Sequence, residues 1–137
     1  MLECLIIGDS IAVGVSEFRK ECHAHVQGGI TSQGFIKKFG DRPEEAKIVV
    51  ISLGANDYDL PTQPYIEQIR SNTKARVVFW LLPREDRVPK AVAAVRAVAA
   101  KYGDQVIPRP KDISPDGIHP TAKGYRELAS KTKLDID

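Results

Sequence analysis

The sequence contains a serine, an aspartate and a histidine whose surroundings favour nucleophilic chemistry. Ser10 comes just after the apolar run LII and opens a predicted helix, where unpaired backbone amides favour negative charge near its hydroxyl. Asp116 and His119 lie one turn apart in DGIHPTAKGY, where glycine and proline restrict the backbone. The carboxylate can hold the proton on one ring nitrogen, which leaves the other nitrogen free as a base for Ser10. The structural alternatives are a plain helix N-cap at Ser10 and a surface cap beside a solvated histidine.

A second polar cluster, GAND, follows the third apolar run of the chain. Gly54 permits a sharp turn there, so the side-chain amide of Asn56 can point over the end of the preceding strand as a hydrogen-bond donor. Gly28 and Gly29 follow the second apolar run, where a residue without a side chain lets a backbone N–H approach a ligand oxygen. An ordinary turn would explain each of these residues singly.

Five short runs rich in apolar and β-branched residues predict strands. They are LECLIIG from Leu2, HAHVQ from His23, KIVVISLG from Lys47, ARVVFWLL from Ala75 and QVIP from Gln105. The third and fourth runs are nearly all apolar, which is typical of strands buried on both faces of a parallel sheet.

Segments with helical spacing alternate with these runs and predict helices at residues 11–21, 31–39, 62–72, 88–102 and 120–132. Right-handed crossovers between such elements give a three-layer αβα fold, with a flavodoxin-like sheet of five parallel strands in the order 2-1-3-4-5. Ligands of such sheets bind at the carboxyl ends of the strands, and every polar cluster described above follows a strand.

Length and composition predict one domain over residues 1–137. The net charge of +2 gives no reason to expect nucleic acid or a membrane as a partner, and no run reaches the roughly 20 apolar residues of a membrane span. The start MLECLIIGDS lacks the basic leader of a secretory signal, so we expect a cytoplasmic protein. Cys4 and Cys22 are expected to be reduced thiols, with one disulfide as the alternative.

Three blocks of the sequence resemble the SGNH hydrolases, the GDSL-type esterase and lipase superfamily. IIGDSIAVG is similar to the block with the nucleophile, which falls on Ser10, and VISLGANDY to the block that supplies Asn56. DGIHPTAKGYRELA is similar to the last block, whose acid and base fall on Asp116 and His119. The blocks cover nearly the whole chain in the family's order, so the resemblance implies the SGNH-hydrolase type of fold.

The resemblance also implies a serine hydrolase that cleaves carboxylic esters through an acyl-enzyme and needs no cofactor. The oxyanion would be bound by the backbone N–H of Ser10, the side-chain amide of Asn56 and a glycine N–H. The glycine block, VQGGITSQG, is weaker; it implies Gly29, with Gly28 as the competing choice. The short connections between blocks favour an open site for a small ester, such as acetyl on a carbohydrate, and neighbouring subunits of a homo-oligomer could supply further walls.

Other polar residues on the same edge have simpler explanations. Asp9 and Asp57 are expected to organise loops through hydrogen bonds to the backbone. Four basic residues in the loops after the fourth and fifth strands could attract an anionic substrate, such as an acidic sugar or a phosphate-bearing acyl donor, with solvated loop charges as the alternative. They are Arg84, Arg87, Arg109 and Lys111.

The cluster ECHAH suggests a metal site through Cys22, His23 and His25, but strand geometry argues against one. On a strand, His23 and His25 share one face while Cys22 points to the other. The three side chains therefore cannot easily converge on one ion.

Two other function classes fit parts of the pattern. The first is a catalytically silent binding module with the same fold. The second is a phospho-acceptor receiver domain, in which Asp9, Asp57 and Lys111 would form the acidic pocket and its lysine after strands one, three and five. A receiver domain leaves Ser10 and His119 without a role.

Overall fold

The protein folds as a parallel sheet between two layers of helices. The structure is a computed structural model, which describes residues 1–40 and 44–134. In chain order the elements are β1 (Leu2–Gly8), α1 (Ser10–Glu17), β2 (His23–Val26), α2 (Ser32–Phe39), β3 (Glu44–Ser52), α3 (Gln63–Ser71), β4 (Thr73–Lys74), β5 (Val77–Leu81), α4 (Pro89–Tyr102), β6 (Gln105–Ile107) and α5 (Ala122–Lys131). The five longer strands lie in the order β2-β1-β3-β5-β6 and are all parallel. This confirms the predicted α/β fold and its strand order.

The two-residue strand β4, which pairs with the start of β3, was not predicted. Two residues are too few to produce a periodic pattern in the sequence. Its formation depends on the neighbouring strand instead of on its own residues.

Alternate residues of the central strands point into two separate hydrophobic clusters, one on each face of the sheet. In β1, Leu5 and Ile7 pack on the face covered by α2, α3 and α4, whereas Ile6 packs on the face covered by α1 and α5. All three side chains are almost completely buried, as is Trp80 in β5. This two-sided burial explains why the central strands read as continuous apolar runs.

Most helix bounds lie within two residues of the predicted ones, but α1 ends earlier, at Glu17 instead of residue 21. Beyond it, the buried guanidinium of Arg19 donates from Nη1 to the carbonyl oxygens of Ala129 and Thr132, each at 3.2 Å. The helix ends early because this cation binds the last turn of α5. The residues of α1 alone could not predict such a tertiary contact.

The two cysteines form a disulfide, so the prediction of two reduced thiols was wrong. Cys4 is buried in β1 and Cys22 lies just before β2, and their Cα atoms are 4.8 Å apart. The register explains this proximity, because Leu5 of β1 pairs with His23 of β2 and the cysteines immediately precede that pair. A sequence pattern cannot supply this register. The cytoplasmic location, which was predicted from the start of the sequence, stays a prediction.

The histidines of the ECHAH cluster do not converge with the cysteine. His25 Nδ1 lies 3.1 Å from a carboxylate oxygen of Glu44, and its ring stacks on Phe39 with the ring centres 5.7 Å apart. Cys4, Glu21 and Cys22 do place possible ligand atoms within 4.8 Å of one another, but the disulfide occupies both sulfurs.

In the described part of the chain, every helix is too short or too polar to cross a lipid bilayer.

Candidate active site

In the turn after β1, Asp9 and not Ser10 caps helix α1, so the hydroxyl of Ser10 is not used as a helix cap. Gly8 has φ +136°, and a Cβ added there would lie 1.9 Å from the backbone oxygen of Ser52, so only glycine fits between β1 and β3. Asp9 is the N-cap of α1; its Oδ1 accepts from the N–H of Ile11 at 3.0 Å and from the hydroxyl of Ser52 at 2.8 Å. The N-cap alternative for Ser10 was therefore wrong, and the loop role predicted for Asp9 is confirmed.

Burial sets the electrostatics of Asp9. The side chain is completely buried, and its Oδ2 has no hydrogen-bond partner within the described residues. Desolvation raises the pKa of Asp9 to about 6, although hydrogen bonds from Ser52 and Ile11 favour the ionised form. The residue before the candidate nucleophile therefore binds a proton more readily than an ordinary aspartate.

Asp116 and His119 belong to a closed loop that holds both side chains in place. The N–H of Ser114 donates to the carbonyl of His119 at 2.8 Å. The N–H groups of Ile118 and His119 donate to Asp116 Oδ1 at 2.8 and 3.0 Å, and the hydroxyl of Ser114 donates to it at 2.8 Å. The cap of α5 is Thr121, so the alternative in which Asp116 caps that helix was wrong.

The fold brings the serine, the histidine and the aspartate into one hydrogen-bonded row. Ser10 Oγ lies 3.1 Å from His119 Nε2, and His119 Nδ1 lies 2.8 Å from Asp116 Oδ2. The hydrogen bond to the His119 ring, and then those from the two backbone N–H groups, hold the pKa of Asp116 well below its usual range. An ionised Asp116 favours the tautomer with the proton on Nδ1, which leaves Nε2 as the acceptor for the Ser10 proton.

Three candidate oxyanion donors belong to residues that line one cavity, namely Ser10, Gly29 and Asn56. Asn56 Nδ2 donates one bond to the carbonyl of Ile30 at 3.0 Å, which orients the amide and leaves its second N–H free to bind a ligand. Within the described residues, no acceptor contacts the backbone N–H of Ser10 or of Gly29. A Cβ at Gly28 would face the Ser10 Cβ at 3.8 Å, whereas Gly29 lies on the cavity wall.

Asp57 fixes the loop that carries Asn56. Its buried carboxylate accepts from the N–H and the hydroxyl of Ser32, both at 2.8 Å, and from the hydroxyl of Thr62 at 2.6 Å. These bonds tie the loop after β3 to the starts of α2 and α3, which confirms the predicted loop role. Both carboxylate oxygens are occupied, and Lys111 does not line the cavity, so the geometry does not favour a phospho-acceptor site.

The cavity beside Ser10 has a volume of about 300 Å³ and mostly apolar walls. The apolar wall residues that sequence reasoning missed include the last residue of β6, residues that follow β5 and β6, and one in the loop before α5: Leu82, Pro83, Val88, Ile107, Pro108, Pro110 and Ile118. Apolar residues directly after the last two strands, in LLP and IPRP, were the available signal. Tyr58 also lines the cavity and is the one non-glycine residue with positive φ, 47°, among those that the structure describes.

The three arginines predicted near the site line this cavity, whereas Lys111 does not, and two of the arginines bind the loop that carries His119. Arg84 Nη1 donates to the carbonyl of Gly117 at 2.7 Å, and Arg109 Nη2 donates to the carbonyl of Ile118 at 3.0 Å. Each guanidinium thus holds one carbonyl of the loop that carries His119. They are not merely solvated loop charges.

No family model and no curated protein matches the chain. Its structure is similar to a GDSL-like lipase from Bacteroides thetaiotaomicron, with a TM-score of 0.69 and 18% identity over 94% of this chain and 84% of the other. A candidate acylhydrolase from Bacteroides fragilis gives 0.66 and 17% over 94% and 83%, and a candidate arylesterase from Agrobacterium tumefaciens gives 0.59 and 16% over 96% and 98%. The resemblance drawn from the sequence blocks is thus confirmed at the level of the fold, and the chain has the α/β fold of the GDSL-like, or SGNH, hydrolases.

Proposed function

We propose that this protein is a serine hydrolase of carboxylic esters. The observation that carries the proposal is the 3.1 Å contact between Ser10 Oγ and His119 Nε2, two residues 109 positions apart in sequence. A hydroxyl beside an oriented imidazole that is itself bound to an ionised carboxylate is the arrangement that activates a serine. The names of the similar structures, a lipase, an acylhydrolase and an arylesterase, support the ester as the bond cleaved.

The first half-reaction forms an acyl-enzyme. His119 Nε2 takes the proton of Ser10 as Oγ attacks the acyl carbon, and the carbonyl π electrons move onto the carbonyl oxygen. When the tetrahedral intermediate collapses, the bond to the alcohol oxygen breaks and His119 returns the proton to that oxygen. Asp116 stabilises the imidazolium between these two transfers.

The second half-reaction releases the acid. A water molecule gives a proton to His119 as its oxygen attacks the acyl carbon, and Ser10 leaves as it regains a proton from His119. In both halves, the oxyanion is bound by the N–H groups of Ser10 and Gly29 and by the amide of Asn56. Donors preorganised at the position where charge develops supply much of the catalysis in such sites.

The size of the cavity supports a small ester. About 300 Å³ is at the lower end of the range for ligand sites, and long acyl chains would leave many methylene groups in water. We therefore propose a short acyl group, with acetyl on a carbohydrate as the substrate class to test first. A homo-oligomer that adds further walls is compatible with this proposal.

Covalent labelling together with a substrate panel tests the function. We expect a fluorophosphonate to label wild type and the Ser16→Ala variant, which changes another serine of α1, but not Ser10→Ala. The same proteins are compared on p-nitrophenyl esters of increasing chain length and on acetylated sugars. Absence of both labelling and hydrolysis in wild type would identify a silent binding module instead.

A further inference from the structure

Among the residues that the structure describes, three arginines and no carboxylate residue line the cavity. The arginines are Arg84, Arg87 and Arg109. Of the acids nearby, Asp86 pairs with Arg84, and Asp116 is bound to the His119 ring. The region therefore has an excess of positive charge, although the whole chain has a net charge of only +2.

The three arginines differ in how many of their donors are occupied. Arg84 donates to Gly117 and, from Nε at 2.9 Å, to Asp86, so most of its donors are used. Half-buried Arg109 makes one side-chain hydrogen bond, to Ile118, and exposed Arg87 makes none, within the residues that the structure describes. Neither of these two guanidinium groups has a carboxylate partner in that part of the chain.

The surroundings of Arg109 disfavour its charge. Burial, and then the nearby charge of Arg84, lower the pKa of the Arg109 guanidinium. The charges of Asp86 and Asp116 offset only part of this effect on the pKa. The like charges of Arg84 and Arg109 repel each other beside an apolar cavity. A bound anion would offset this repulsion and accept hydrogen bonds from the donors that have no partner.

The strand order separates the oxyanion donors from the arginines. Ser10, Gly29 and Asn56 follow β1, β2 and β3, on one half of the sheet, whereas the arginines follow β5 and β6 on the other. His119 belongs to the loop that Arg84 and Arg109 hold. Because His119 must deliver its proton to the leaving oxygen, the alcohol half of the ester lies on the arginine side.

We propose that the alcohol half of the substrate carries an anionic group, a carboxylate or a phosphate, which binds Arg109 and Arg87. This inference rests on the proposed hydrolase function and specifies its substrate. The guanidinium fork suits either anion, since both present pairs of oxygens for bidentate hydrogen bonds. An acetylated uronic acid and an acetylated sugar phosphate are simple members of the two classes.

Matched substrate pairs test the proposal on wild type. One pair is O-acetyl glucuronic acid and its neutral methyl ester, and the other is O-acetyl glucose 6-phosphate and O-acetyl glucose. We expect kcat/KM to be on the order of tenfold higher for the anionic member of at least one pair at low salt. High salt should reduce that ratio toward one. The pair with the larger ratio identifies the anion as carboxylate or phosphate.

Variants then assign the preference to the arginines. Arg87→Ala and Arg109→Gln should each lower the ratio of anionic to neutral kcat/KM about fivefold, on the order of one lost exposed ion pair. Arg109→Lys, which keeps the positive charge but loses the forked guanidinium group, should retain part of the preference for the anionic ester. Arg96→Ala, which removes an exposed positive charge from α4 outside the cavity wall, is the control.

The outcomes separate this inference from the proposed function. Neutral esters cleaved through Ser10 with no anionic preference in either pair would overturn the anion site and leave the hydrolase standing. An equal loss of preference in Arg96→Ala would also overturn it, because net charge would then be the cause. If none of the four esters is cleaved while p-nitrophenyl esters are cleaved through Ser10, the anion site is overturned and the hydrolase stands. If fluorophosphonate labelling and all ester cleavage are absent, the hydrolase proposal fails, and the anion site fails with it.

Discussion

Each end of the sheet contains an aspartate that binds a nitrogen-bearing side chain, and the two pairs differ in how many of their polar atoms already have hydrogen-bond partners. At the amino ends of the strands, Arg70 binds both oxygens of Asp104 at 2.6 and 2.9 Å, and Trp80 Nε1 donates to the same acid at 2.9 Å. The side chains of Arg70 and Asp104 are only 12% and 4% exposed. Arg70 also lies over the ring of Tyr102, 4.4 Å from its centre. This cluster is buried and has little hydrogen-bonding capacity left.

At the carboxyl ends, the pair of Asp116 and His119 is open to solvent on one side. Their side chains are 46% and 42% exposed, and His119 Nε2 is directed at Ser10. The aspartate is saturated by its own loop, while the far nitrogen of the histidine is left for a proton transfer. The comparison teaches that a pair whose hydrogen-bonding atoms are all occupied serves the fold. A catalytic pair instead needs one atom, here His119 Nε2, that the fold orients and leaves available for proton transfer.

Removing the reactive atoms should have the largest effect on the carboxyl-end site. We expect Ser10→Ala and His119→Ala each to lower kcat by about 10⁴-fold or more, and by similar factors, because the two residues act as one unit. Steady-state kinetics on a short-chain p-nitrophenyl ester measures this. The melting temperature should change little. Near-native turnover in either variant would refute the assignment.

The opposite end should respond in stability and not in turnover. Asp104→Ala leaves a mostly buried Arg70 unpaired and the Trp80 N–H without its acceptor, so the free energy of unfolding should fall by about 3–5 kcal/mol. Urea unfolding measures this, and kcat of the folded fraction should stay within a factor of about two. The control is Glu67→Ala, which removes the partner of Lys101 in an ion pair far more exposed than that of Arg70 and Asp104 and should cost under about 1 kcal/mol. A large loss of kcat in Asp104→Ala would show that the two ends are coupled.

Removal of one oxyanion donor tests how much a single hydrogen bond contributes to turnover at the carboxyl ends of the strands. Asn56→Ala should lower kcat by roughly a hundredfold, about 3 kcal/mol of transition-state stabilisation, with a smaller change in KM. The free energy of unfolding should fall by less than about 3 kcal/mol, because Asp57 and its partners Ser32 and Thr62 still hold the loop. Turnover within threefold of wild type would remove Asn56 from the oxyanion hole.

A buried acid at the open end predicts a pH-dependent stability. The pKa of Asp9 is raised from 3.8 to about 6 in the folded protein, so the native state binds more protons than the unfolded state between about pH 4 and pH 6. The contribution of Asp9 to the free energy of unfolding should therefore fall as pH rises through that window, by at most about 3 kcal/mol. Unfolding from pH 4 to pH 8 measures it, with Asp9→Asn, which keeps a capping side chain, as the comparison. Equal pH slopes for the two proteins would contradict the assignment.

Local patterns were sufficient for the five longer strands, for the presence of the five helices and for the edge on which the site lies, but not for β4 or the end of α1. Strand and helix alternation follows from periodicity and from turn residues close in sequence, and parallel strands deliver the residues that follow them to one edge. That is why Ser10, Asn56 and the Asp116/His119 pair could be chosen from the sequence, with the resemblance to the SGNH hydrolases naming their roles.

Tertiary packing alone decided which distant groups touch. The 3.1 Å contact of Ser10 with His119, the disulfide of Cys4 with Cys22 and the bond from Arg84 to the histidine loop all depend on strand register and loop closure across the whole chain. The physical reason is that a residue's own neighbours set its backbone conformation, whereas its contacts across the sheet are set by the burial of a core to which every element contributes.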